Sequence, residues 1–176
     1  TRIRYNPRGQ VLDETRLSDP IVGWVWWSDN FDALFLSLRP DGRTIGEDRI
    51  TYYRYTLDDK LLSVTNFEGA TTNYEYDIRG NLVKMTEGAD RPDARTTLMR
   101  YDGFDRKIAQ LSAEGASQVT DTMSATDIQE VWDSRSSAYT YNGADKLTSS
   151  VDANQIKTAF YYDDDGRLAI SVNAMG

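Results

Sequence analysis

The sequence predicts an all-β chain, an array of antiparallel β-hairpins. A motif, its recurrence and the residue chemistry of its turn carry that prediction. The motif is Tyr74-Glu75-Tyr76-Asp77-Ile78-Arg79-Gly80-Asn81-Leu82. Tyr74 and Tyr76 flank a charged residue, as in a strand with one apolar face. Asp77 suits the first position of a type I turn, and Gly80 the left-handed position after it. Together they describe a short hairpin turn with a glycine bulge, and Leu82 starts the return strand.

The unit recurs. With the second tyrosine as reference, copies sit at Tyr5, Tyr55, Tyr76, Tyr101, Tyr141 and Tyr162. Two residues before each is an apolar side chain: Ile3, Tyr53, Tyr74, Met99, Tyr139 and Phe160. Four residues after each is Gly9, Asp59, Gly80, Asp105, Asp145 or Gly166. Six after is Val11, Leu61, Leu82, Leu147 or Leu168, while the copy at Tyr101 has Lys107 there and Ile108 one step later. Only glycine, or less comfortably Asn and Asp, tolerates the positive φ that follows such a turn. Asp59, Asp105 and Asp145 are therefore expected at positive φ, like the glycines. Gly69, Gly88, Gly115 and Gly176 read as second glycines that close units.

Tyr-x-Tyr-Asp-x-x-Gly-Asn-Leu at 74–82 and Tyr-Tyr-Asp-Asp-Asp-Gly-Arg-Leu at 161–168 resemble the tyrosine–aspartate repeats of the Rhs (rearrangement-hotspot) family. The resemblance spans nearly the whole chain and is weakest over 16–50 and 112–137. It implies a long β-ribbon that spirals into a hollow shell. In bacterial members such a shell encloses a toxic C-terminal region, and animal relatives use the repeats in cell-adhesion receptors. It implies a secreted or cell-surface setting, with flanking repeats and an enclosed polypeptide cargo as partners. Many bacterial shells end in an aspartate-based self-cleaving segment. Nothing in this sequence matches it, so the resemblance transfers no catalytic residue.

In chain order, the first hairpin is expected from Ile3 to Thr15, with Pro7 using its fixed φ in the turn. Residues 16–50 depart from the rhythm: Ser18-Asp19-Pro20 breaks the strand, and Leu38 with Gly42 reads as a decayed copy. Trp24, Trp26 and Trp27 read as packing between ribbons, with a ligand-stacking platform for glycans as the alternative. Residues 51–115 are the clean array, lengthened at Asp90-Arg91-Pro92-Asp93. Over 112–137, Ser124-Ala125-Thr126-Asp127 resembles a capping box with Ile128, Val131 and Trp132 at helical spacing. A short helix and a degenerate repeat both fit. The copies at Tyr141 and Tyr162 resume the rhythm. Equivalent anchors, Tyr55, Tyr76 and Tyr101 among them, are expected on one sheet face with neighbouring repeats in contact.

The chemistry is narrow. The 176 residues read as one repeat array, and a first residue already inside a repeat suggests a piece of a longer polypeptide. With 28 acidic and 20 basic residues and a net charge of −8, the chain lacks the basic excess of a nucleic-acid binder. It has no Cys and no His, which excludes disulfides, Ser-His-Asp catalysis and zinc held by those residues. No apolar run reaches the length of a membrane-spanning helix. Asp58-Asp59 and Asp163-Asp164-Asp165 could be a glycosidase pair or a calcium loop, but the loop register places Val172 where a ligating glutamate belongs. Asp59 and Asp163 have places in the turn. The expectation is a structural wall without catalytic, cofactor or metal residues. The alternative is an adhesion module, or a glycan- or protein-binding one, on the same repeats.

Overall fold

The computed structural model describes residues 1–16 and 49–174. The described chain forms two compact units, Thr1–Thr71 and Thr72–Gly176. Among the described residues the fold is mostly β, with twelve strands that pair antiparallel in chain order.

The first unit carries β1 (Arg2–Tyr5), β2 (Val11–Arg16), β3 (Arg49–Tyr55) and β4 (Leu61–Thr65). Its ladder pairs Arg4 with Asp13, Asp13 with Tyr52 and Arg54 with Ser63. Asp13 is buried and bound by the Arg4 guanidinium. That pairing is what makes a buried carboxylate tolerable.

Strand β5 (Thr71–Tyr76) opens the second unit, followed by β6 (Leu82–Glu87), β7 (Arg95–Tyr101) and β8 (Lys107–Leu111). Two helices come next, α1 (Ala113–Ala116) and α2 (Ala125–Arg135). The unit ends with β9 (Ser137–Tyr141), β10 (Leu147–Val151), β11 (Lys157–Tyr162) and β12 (Leu168–Asn173). Of the two readings of 112–137, the helix is the one observed. The Ser124 side chain accepts the Asp127 N–H, and the Asp127 carboxylate accepts the Ser124 N–H. This reciprocal box satisfies two amides that a helix start leaves open.

The two faces of this sheet differ, because side chains alternate along a strand. Tyr74 pairs with Met85 and Met85 with Thr97, so Tyr74, Tyr76, Met85, Met99 and Tyr101 share one face. Glu75, Lys84, Leu98, Ala109, Leu111 and Ala138 share the other. The helices lie on this second face. Leu111, Ala116 and Trp132 form its buried centre, with Leu98, Ala109, Val119, Ile128 and Val131 packed around it. Gly115 corrects its expected role: it closes no hairpin but lies in α1, where an added Cβ would come 2.8 Å from Leu111 Cδ2. The helix needs a residue without a side chain to sit that close to Leu111. Trp24, Trp26, Trp27 and the decayed copy at Leu38 and Gly42 lie outside the described residues.

Candidate functional site

The turn between β5 and β6 shows how each hairpin is closed. Asp77 N–H donates to the Asn81 carbonyl and Gly80 N–H to the Asp77 carbonyl. The Asp77 Oδ1 accepts the N–H groups of Arg79 at 2.9 Å and Asn81 at 2.8 Å. The same frame recurs at Asn6, Asp102 and Asn142, each accepting two backbone N–H groups. Asp163 accepts the Arg167 N–H, and at Thr56 the hydroxyl accepts the Lys60 N–H. A short polar side chain at this position organises the turn by itself.

The residue three places later takes positive φ in all six hairpins. Asp59, Asp105 and Asp145 have φ of 66°, 61° and 58°, beside Gly9, Gly80 and Gly166 at 80°, 98° and 74°. Each hairpin also carries a register shift at its anchor, which pairs Tyr5 with Val11, Tyr55 with Leu61, Tyr76 with Leu82, Tyr101 with Lys107, Tyr141 with Leu147 and Tyr162 with Leu168. Lys107, and not Ile108, therefore fills the equivalent place in the fourth copy. Two further turns use the same bonds: Asn66 to Ala70, where Gly69 closes a unit as the sequence suggests, and Asp152 to Ile156, which the repeat reading does not include. Their signal is an Asx residue followed three places later by Gly69 or Gln155, at φ of 80° and 65°.

The aspartates at positive φ have a second task. Arg8 donates to Asp59 Oδ1 at 2.9 Å and to the Leu57 carbonyl at 2.8 Å, and Gln10 adds a bond of 3.0 Å to the same carboxylate. In the second unit, Arg79 reaches the Gly103 carbonyl and Asp105, and Asn81 donates to Asp105 at 2.8 Å. Arg106 reaches the Asn142 carbonyl at 3.2 Å and Asp145 at 2.8 Å. A turn thus presents an arginine to the carboxylate of a neighbouring turn. Glycine would serve the backbone better but could not accept that bond. Exposed pairs of this kind contribute about 0–1 kcal/mol each, so they align turns more than they stabilise them.

Two of the anchors also join hairpin to hairpin. Tyr141 Oη donates to the Lys107 carbonyl at 2.8 Å and Tyr162 Oη to the Leu147 carbonyl at 2.9 Å. Each acceptor begins the return strand of the preceding copy. Burial raises the Tyr141 hydroxyl pKa, with the nearby Tyr139 acting in the same direction. Tyr141→Phe and Tyr162→Phe should each lower stability by about 1 kcal/mol, the net worth of one hydrogen bond; urea denaturation of each variant measures it. Tyr76 is only half-buried, so its truncation should cost less than the roughly 3–5 kcal/mol of a fully buried aromatic.

The acidic clusters sit in turns. The Asp58 carboxyl is held at about 2, chiefly by the Lys60 side chain and then by Thr56. Arg106 is the first cause that holds Asp102 below its ordinary value. At Asp77 partial desolvation pushes upward, but the N–H groups of Asn81, Arg79 and Gly80 and the Asn81 amide outweigh it and the net shift is down. Lowered folded-state values mean that the contribution of these groups is present above the unfolded value of about 3.9 and is lost as pH falls through the folded one. An NMR titration of the side-chain carboxyls should place Asp58, Asp77 and Asp102 below that value; midpoints at or above it would contradict the turn geometry.

A groove of about 320 Å³ opens between α2 and the sheet, lined by Arg100, Ala109, Gln129, Trp132, Asp133 and Gln155 among others. Its cation is already engaged: the Arg100 guanidinium stacks 4.0 Å over the Trp132 ring and donates to Gln129 at 2.8 Å. Among the described residues, no three acidic side chains converge as a metal site. None of their helices is long and apolar enough to cross a membrane.

Repeated hairpins with a turn begun by Asx or Thr, a left-handed Gly or Asp and, at Tyr141 and Tyr162, a tyrosine bonded to the preceding copy define a YD-repeat ribbon. The Teneurin YD-shell family model matches residues 41–176, and the chain belongs to this family. The resemblance to Rhs repeats drawn from the motif holds. No curated protein sequence matches the chain. Among solved structures, a TcdB2-TccC3 crystal structure matches 97% of the chain at 14% identity and a TM-score of 0.62. TcdB2-TccC3-Cdc42 matches 96% at 14% identity and 0.61. The Tc holotoxin pore of Photorhabdus luminescens matches 94% at 12% identity and 0.59. The chain spans 7% of the length of each of these structures. The likeness shows the fold.

Proposed function

We propose that this segment is one stretch of wall in a hollow shell that encloses a polypeptide cargo, a toxic C-terminal region, until delivery outside the producing cell. A structural shell role follows from the family. The observation that carries the rest is the construction of the ribbon: in the second unit Tyr141, Tyr162 and Arg106 tie hairpin to hairpin, and the clustered aspartates Asp58-Asp59 and Asp163-Asp164-Asp165 sit in turns. The six anchor tyrosines and the turn residues are the functional residues in this reading, as one array whose partners are further repeats and the cargo. The mechanism is steric. A wall of paired strands keeps the enclosed chain apart from proteases and from the producing cell, which needs no chemistry. A similar solved structure, TcdB2-TccC3 without its hypervariable C-terminal region, supports a variable C-terminal cargo.

Limited proteolysis of the full-length parent chain tests this. The region carried C-terminal to the repeats should resist cleavage in the intact protein and become sensitive when Tyr141 and Tyr162 are both replaced by alanine. A C-terminal region cut equally fast in both would overturn enclosure.

A further inference from the structure

We propose that Asn142 is a site of spontaneous deamidation built into its folded turn. Three turns begin with asparagine: Asn6, Asn66 and Asn142. In each, the side-chain Oδ1 accepts two backbone N–H groups, at 3.0 and 3.0 Å for Asn142. Two donors aimed at a carbonyl oxygen polarise its carbon and stabilise the oxyanion formed when a nucleophile adds, as an oxyanion hole does. The nucleophile is the backbone nitrogen of the next residue, and here the three turns diverge. Asn6 precedes Pro7, which has no N–H to lose. Asn66 precedes Phe67, whose side chain crowds the approach. Asn142 precedes Gly143, which has no side chain and whose amide makes none of the turn's hydrogen bonds. Asn142 and Gly143 are both exposed, whereas Asn6 and Asn66 are half-buried and the Asn6 amide donates to Gln10.

The step balances with water alone. Gly143 N attacks Asn142 Cγ, the N–Cγ bond forms and the Cγ–Nδ2 bond breaks. The amide leaves as ammonia, which takes the Gly143 proton through solvent. Water then opens the succinimide at either carbonyl to aspartate or isoaspartate. Aspartate keeps the turn, since Asp77, Asp102 and Asp163 hold the same place. Isoaspartate lengthens the backbone by one carbon and displaces the carbonyl that accepts from Arg106. The reaction therefore gives one silent product and one that loosens a turn.

Peptide mass mapping of the full chain, aged in mildly alkaline buffer with and without urea, tests the assignment. The peptide holding Asn142 should gain the amide-to-acid mass in the folded protein at least as fast as in urea, with those holding Asn6 and Asn66 unchanged. Gly143→Ala should slow the folded reaction by about ten-fold or more, and open space around Gly143 leaves room for the added methyl group. Slower reaction in the folded chain than in urea, equal reaction at Asn66, or an unchanged rate in G143A would each overturn it.

Discussion

Trp132→Ala should destabilise the second unit by about 3–5 kcal/mol, the cost of emptying a buried aromatic site. Trp132 is 6% exposed and is the largest side chain at the buried centre. The buried apolar centre of the unit is small, so little elsewhere can offset its loss. Removing the ring also leaves the Arg100 guanidinium without the surface it stacks on. The variant should lose helical circular dichroism before the strands at β11–β12 melt, because α2 is held to the sheet through this side chain. A melt that keeps its midpoint within a degree or two of the parent would show that α2 docks by other means.

Gly80→Val should cost about 1–2 kcal/mol from left-handed strain alone. Gly80 sits at φ 98°, and a β-branched residue is the least comfortable occupant of that region. The informative comparison is Gly80→Asp. Aspartate occupies the same conformation at Asp59, Asp105 and Asp145, so this change should cost clearly less. Urea denaturation of both variants decides; equal losses would mean that backbone conformation is not what selects Gly and Asp at this position.

The hairpins were legible because their determinants are local. Asp77 and Gly80 lie three residues apart, and the conformations they favour do not depend on distant parts of the chain. The same logic placed Asp59, Asp105 and Asp145 at positive φ. Residues 112–137 were ambiguous because Ser124 and Asp127 signal a helix start while the surrounding spacing allows another repeat. What settled it is long-range: Trp132, Ile128 and Val131 find Leu98, Ala109 and Leu111 on the sheet. Gly115 was misread for the same reason, since its approach to Leu111 exists only after α1 has docked. The arginine links are not visible in the turn motif itself, where Gly and Asp take the same backbone conformation and differ only in the carboxylate. The available signal was that turns containing Arg8 and Arg79 precede turns whose left-handed residue is Asp59 or Asp105.

The bulge at each anchor has a consequence for how such a ribbon tolerates change. Strand pairing is set afresh at Tyr5, Tyr55, Tyr76, Tyr101, Tyr141 and Tyr162, so each hairpin keeps its own phase. An inserted or deleted residue in one connection is absorbed before the next anchor and does not shift the strands downstream. Between Tyr101 and Tyr141 the chain inserts two helices, yet Ala109 still pairs with Ala138 and the following hairpin starts in step. Length can therefore drift on the edge that carries the long connections while the tyrosine-end turns keep time, which lets one ribbon acquire new decorations without being rebuilt.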